Sequence, residues 1–278
     1  MLTVRGLKTA WLEAGSSKNN ILLLLHGFPD DAHVWDEQIR HFRAHFHVVA
    51  PMMRGAGLSE PSEDQSRYGL SATALDQLAI LRKINPAGRK KIYLVGHDLG
   101  TLHAWHLAPL LGKRLKGLVI LNGGHPMQAW ERKTNYRQVM KSWYMYLFLI
   151  PLLPELLLKT VGKSLLKRTK KRNGIPDKKM SDATKALDYA AHTVKQYREI
   201  AKSLPAYWWH ANHFKLEAPV LAISTTGDAF IEPATLKELN LIAKKPSVRI
   251  IEGKHWVQCE NPDRINKLMD KFFREDCQ

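Results

Sequence analysis

The sequence predicts an α/β protein, with a mostly parallel central sheet flanked by helices and interrupted by a helical insertion. Three observations lead there. Short β-rich apolar runs recur between helical patterns along the 278 residues, and a long span between about Gly124 and Lys215 holds no such run. An apolar content of 45% is enough to bury a sizeable core in one large domain, and it excludes a disordered chain.

The strand-like runs are, in order, "ILLLLHG", "FHVVAP", "KIYLVG", "LKGLVILN", "PVLAIST" and "SVRIIEG". Nearly continuous apolar strands alternating with helices such as Leu70–Ile84 mean parallel strands joined by crossovers, with both sheet faces covered. The span 125–214 is rich in Trp, Tyr, Leu and Lys and contains Pro151, Pro154 and Pro176. It reads as a helical cap over the C-terminal edge of the sheet, leaving 1–124 and 215–278 as the core.

Two cysteines, Cys259 and Cys277, form neither a disulfide framework nor a metal-ligand spacing, and a reducing, cytoplasmic setting is expected. The stretch "MLTVRGLKTAWLEAG" lacks the apolar core of a signal peptide, and "ILLLLHGF" is too short to span a bilayer. The formal charge of +16 raises nucleic acid or anionic lipid as partners. Nine basic residues crowd into 159–179, which argues against a nucleic-acid footprint spread over the chain. There Lys159, Lys163, Lys167 and Lys170 fall on one helical face and Leu158, Val161 and Leu165 on another. A solvated basic face is the first reading, and peripheral contact with anionic membrane the second.

The chemistry centres on "LVGHDLGT", residues 94–101, where glycines stand two places either side of Asp98. A strand, this turn and a following helix make the context of a nucleophile elbow. Aspartate is also a good helix N-cap, but the flanking glycines and two distant segments favour the elbow. In "LLLLHGFPD", His26 and Gly27 end a strand, and Phe28 is placed to offer a backbone N–H to an oxyanion, with Pro29 fixing the bend. The N–H of Leu99, at the start of the helix after Asp98, is the second donor. Near the C-terminus, "TGDAFIEP" offers Asp228 and "KHWVQCENP" offers His255, each just past a strand. The order Asp98, Asp228, His255 is nucleophile, orienting acid, base.

With these residues assembled, the chain resembles an α/β-hydrolase of the epoxide hydrolase branch. The likeness spans "HGFPDDAHVWDEQI", "RGAGLSEPSE", "GHDLGT", "SWYMYLFLIPLLPE", "GDAFIEP" and "HWVQCENPDRINKLMDKFFRE". It implies the α/β-hydrolase fold with a cap, Asp98 as nucleophile, His255 as base with Asp228 as its partner, and Phe28 and Leu99 as oxyanion donors. Tyr144 falls where the family carries a cap tyrosine that hydrogen-bonds the epoxide oxygen. The second tyrosine's slot falls on Trp208 or, one place earlier, on Tyr207.

Aspartate suits attack at saturated carbon, because the product is an ordinary alkyl ester that water activated by His255 can cleave. The electrophile is then a hydrophobic epoxide or an alkyl halide, and neither reaction requires a metal or organic cofactor. Ring opening needs an acidic O–H such as Tyr144. Dehalogenases resembling this chain usually place a tryptophan directly after the nucleophile, where Leu99 stands here, so epoxide opening is favoured. A non-catalytic binding protein of the same fold is the remaining reading. Pocket-lining roles are expected for His26, Pro29, Trp35, His97, Trp208 and Trp256, and also for His125. Met53 stands where relatives usually have an aspartate, and Arg54 is read as a brace for its loop.

Overall fold

The computed structural model describes residues 1–125, 136–211, 215–236, 239–275 and Cys277, with 206–211 described by their backbone alone. A short hairpin of β1 (Leu2–Val4) and β2 (Leu7–Thr9) precedes β3 (Trp11–Ala14). The main sheet adds β4 (Ile21–Leu25), β5 (His47–Pro51), β6 (Ile92–His97), β7 (Leu115–Leu121), β8 (Val220–Thr225) and β9 (Pro246–Ile251). Its order is β3-β5-β4-β6-β7-β8-β9, with β3 antiparallel to β5 and every other pairing parallel. All six predicted runs are strands, and all six are parallel. The antiparallel edge strand β3 and the β1–β2 hairpin did not register in the sequence, since strands of three or four residues carry too little alternation to stand out.

Alternation within each strand divides the core. Leu22, Leu24, Val48, Val95 and Val119 face one side and pack on Phe42, Met269, Phe272 and Phe273. Ile21, Leu23, Val49, Leu94 and Ile120 face the other and pack on Ala74, Ile80, Ala104 and Leu107. Three helices flank the strand ends: α1 (Asp36–Phe42), α2 (Leu70–Ile84) and α3 (Leu99–Leu111). Helix α2 buries Leu70, Ala74, Gln77 and Leu81, the i, i+4, i+7 stripe that its sequence predicts, and ends with Arg82 and Lys83 complementing its dipole.

Between β7 and β8 the described chain is helical: α4 (Tyr136–Lys141), α5 (Trp143–Leu149), α6 (Leu153–Leu157), a π-turn at Leu158–Gly162, α7 (Lys163–Arg172), α8 (Met180–Lys185), α9 (Ala190–Thr193) and α10 (Lys195–Ala211). Two more helices, α11 (Val257–Glu260) and α12 (Pro262–Glu275), follow β9. A third apolar cluster joins the insertion to the sheet through Phe28, Leu99, Phe148, Val194, Tyr197 and Ile200.

The expected basic face needs one correction. Lys159, Lys163 and Lys167 are exposed, but Lys170 is buried and pairs with Asp30 at 2.7 Å. A step of three residues turns Lys170 some 60° away from Lys167, toward the core. Both cysteines are buried and unbridged.

Candidate active site

The elbow is built by close packing. Asp98 has φ 54° and ψ −124°, a conformation few side chains adopt, between the end of β6 and the start of α3. A Cβ at Gly96 would meet Gly100 O at 2.5 Å, and one at Gly100 would meet Leu25 O at 2.2 Å. Both glycines are therefore required for the turn to lie this close to β4. The Asp98 side chain does not cap the helix. Instead its Oδ1 accepts the Phe28 N–H at 2.9 Å, so a donor already points where negative charge would develop on this carboxyl group. Leu99 begins α3, where the first N–H groups have no partner within the helix.

Asp228 and His255 converge on this turn. The Asp228 carboxylate accepts the N–H groups of Phe230 at 2.7 Å and Ile231 at 2.9 Å through Oδ1, and Oδ2 lies 2.8 Å from His255 Nδ1. Burial opposes its charge, but the imidazole and the two N–H groups hold its carboxyl below the usual range. His255 Nε2 faces Asp98 Oδ2 at 3.5 Å. Burial pulls the imidazole pKa down, whereas the charges and hydrogen bonds of Asp228 and Asp98 outweigh it and push it up to about 10. The His255 carbonyl accepts Asn122 Nδ2–H at 2.7 Å and His97 Nε2–H at 3.0 Å. His97 itself is neutral, pushed down to about 4 by burial and by the charge of His255.

The insertion closes over this group. From α4, Lys141 Nζ donates to Asp228 O at 2.7 Å and Gln138 Nε2 to Phe230 O at 2.8 Å, which fixes the acid's loop. A cavity of about 810 Å³ lies between insertion and sheet, with Asp98 and His255 at its floor and mostly apolar walls. Its size suits a drug-sized apolar ligand. Among the described residues, no group of three or more His, Cys, Asp or Glu side chains is placed to hold a metal ion.

Tyr144 lines the cavity, as expected. Tyr197 lines it too, with ring centroids 6.3 Å apart and a hydrogen bond between the hydroxyls. Burial raises the Tyr197 phenol well above its ordinary value, and the charge of Asp98 adds to this. Sequence reading missed Tyr197. The signal was the α10 stripe Tyr197, Ile200, Leu204, which points a hydroxyl-bearing ring inward at helical spacing. The side chains of Tyr207 and Trp208 lie outside the described residues.

Of the other pocket expectations, Pro29 and Trp256 do line the cavity. His26, Trp35 and His97 lie behind its wall and are corrected to packing and bracing positions. His26 Nε2 accepts the Met53 N–H at 2.9 Å, and Trp35 belongs to the sheet core. His125 packs edge-on against Trp105. Arg54 is a brace, as read: it is buried, bonds Asp76 at 2.6 Å, and donates to Thr9 and two carbonyls of neighbouring loops.

Comparison with known proteins agrees with this architecture. Residues 20–262 match the family model described as the alpha/beta hydrolase fold. Epoxide hydrolase 4 of Mus musculus is 30% identical over 287 residues, covering 98% of this chain and 77% of that protein. Epoxide hydrolase 3 of Xenopus tropicalis is 27% identical, covering 98% and 76%. The crystal structure of Bacillus megaterium epoxide hydrolase in complex with an inhibitor superposes with a TM-score of 0.83 at 25% identity, over 99% of each chain. The chain thus belongs to the α/β-hydrolase family, on its epoxide-hydrolase-like branch, and is a hydrolase of that fold.

Proposed function

We propose that this hydrolase opens a hydrophobic epoxide to a vicinal diol through an alkyl ester on Asp98. The carrying observation is the facing arrangement in one cavity: Asp98 and His255 on the floor, and the phenols of Tyr144 and Tyr197 in the wall of the insertion. In this reading the insertion is the cap. Asp98 Oδ2 attacks an epoxide carbon, the C–O bond breaks, and a phenol gives its proton to the departing alkoxide. The ester removes the Asp98 charge that helped hold the proton on His255. The imidazole then releases that proton, which replaces the one the phenol gave, and takes one from an attacking water. The Phe28 and Leu99 N–H groups stabilise the oxyanion at the ester carbonyl, and the diol leaves as the carboxylate reforms.

Halide displacement fits less well. The described lining contains Trp143 and Trp256, but the Trp256 indole N–H is given to Asp30 at 2.8 Å, and Phe28 and Leu99 offer no side-chain donor.

Intact-mass measurement of His255→Gln, incubated separately with styrene oxide and with 1-bromobutane, tests the reading. Without the base the first step proceeds and the ester accumulates. A gain equal to the whole epoxide is expected. A gain of the alkyl group alone from the bromide would reassign the chain to dehalogenation, and no adduct from either on folded protein would remove Asp98 as nucleophile toward these electrophiles.

A further inference from the structure

The insertion presents a face that the chemistry at Asp98 does not use. Trp143, Tyr146, Leu152, Leu156, Val161 and Leu165 are each more than 60% exposed, although all are large and apolar or aromatic. Scattered exposed apolar residues need no explanation, but a series of them along one stretch of chain marks an interaction surface. Along the helical run 153–172, Leu153, Leu157, Val161 and Leu165 recur every fourth residue. Lys159, Lys163, Lys167 and Lys171 recur likewise, two residues out of phase and so on the opposite side. A helix with one apolar and one basic side suits the boundary between acyl chains and headgroups.

The charge is unbalanced as well. Residues 136–176 contain nine Lys or Arg and a single acidic residue, Glu155, which is taken up by Arg198. Lys159, Lys167, Arg168 and Arg172 have no ion-pair partner among the described residues. Helix α5 meets the run 153–172 at 107°, and no single described helix is long and apolar enough to cross a membrane. Trp143, Val161 and Leu165 also line the cavity, so the apolar face is the rim of its mouth.

We infer that this face docks on an anionic lipid bilayer, seating the cavity mouth against the membrane so that apolar substrate enters from the lipid. Headgroup phosphates complement the unpaired cations, and the apolar rim enters the acyl boundary. The docking does not depend on the epoxide reading and holds for any apolar substrate.

The test is co-sedimentation of the full chain with phosphatidylcholine vesicles, with and without phosphatidylglycerol, at low and high salt. Binding is expected to the anionic vesicles, weakened by salt. Reversing three exposed cations outside the cavity lining, in Lys159→Glu/Lys167→Glu/Arg168→Glu, is expected to weaken it by at least about tenfold. Tyr146→Gln/Leu156→Gln should remove the salt-resistant remainder, with circular dichroism unchanged in both variants. Failure to sediment with anionic vesicles, or equal sedimentation with neutral ones that the cation reversals leave unchanged, would overturn the proposal. So would a dimer in light scattering that Leu156→Gln dissociates, since the face would then meet a second copy of the chain.

Discussion

Lys170 and Asp30 form a buried ion pair, Nζ to Oδ1 at 2.7 Å, that links the insertion to two loops of the active site. Asp30 lies two residues after Phe28, whose N–H holds Asp98, and its other oxygen accepts the indole N–H of Trp256, the neighbour of His255. Burial opposes the Asp30 charge, but Lys170 keeps its carboxyl below the usual range. A buried pair is costly to break because the survivor keeps its desolvation without compensation. Lys170→Met is therefore expected to lower stability by about 3–5 kcal/mol, and Lys170→Met/Asp30→Asn by less than that single change. Urea unfolding of the three proteins measures both quantities.

This pair also marks the limit of what the sequence discloses. The β4 to β9 strands, the elbow at Asp98 and the order Asp98, Asp228, His255 were legible, because each rests on local spacing: apolar runs, flanking glycines, residues just beyond strand ends. Lys170 and Tyr197 were not. Both sit on helices whose periodicity gives the angle between residues but not which side meets the core, and both find their partners far along the chain, in Asp30 and Tyr144. A lysine among eight basic neighbours reads as solvated until Asp30 is seen beside it.

In the proposed mechanism the two phenols divide one task. Tyr144 and Tyr197 are hydrogen-bonded to each other, and burial keeps Tyr197 protonated. If both donate to the alkoxide, Tyr144→Phe and Tyr197→Phe should each slow ester formation, and the double variant should lose about 10²–10⁴ in rate, the usual yield of general-acid catalysis. Single-turnover mass spectrometry separates this step from hydrolysis. An unchanged alkylation rate in Tyr197→Phe would reduce that residue to packing.

Stability should fall on both sides of neutrality. The His255 pKa is raised in the folded protein to about 10, so the interaction that raises it is fully present below about pH 6.5 and fades as pH climbs toward 10. His97 and His103 are shifted the other way, to about 4, chiefly by burial. Their neutral burial costs nothing above about pH 6.5, while below it the unfolded chain takes up protons that the folded protein refuses, so stability drains as pH falls toward 4. The melting temperature is expected to peak near neutral pH. His255→Gln should flatten the alkaline limb, and His103→Gln the acid limb. A wild-type curve level from about pH 6.5 to 9 would contradict the assignment of the raised group.

Gly27 gives the sharpest test of the elbow, because its lack of a side chain keeps room for the nucleophile. A Cβ there would stand 2.4 Å from Asp98 Oδ1 and 2.8 Å from His97 O. Neither neighbour can yield cheaply: Asp98 is held at positive φ, and His97 O is backbone of β6, which is paired on both sides. The added methyl must push the Asp98 carboxylate away from the Phe28 N–H, a bond of 2.9 Å. Gly27→Ala is thus expected to cut ester formation and hydrolysis together, each by about 10²-fold or more, since both use that carboxyl in that position. Gly69, at φ −72° and with no atom nearer than 3.4 Å to its Cβ position, supplies the control for replacing a glycine elsewhere on the fold. Stopped-flow and mass measurement of the two half-reactions decide it: loss of hydrolysis alone would mean that the Phe28 N–H serves only the second step.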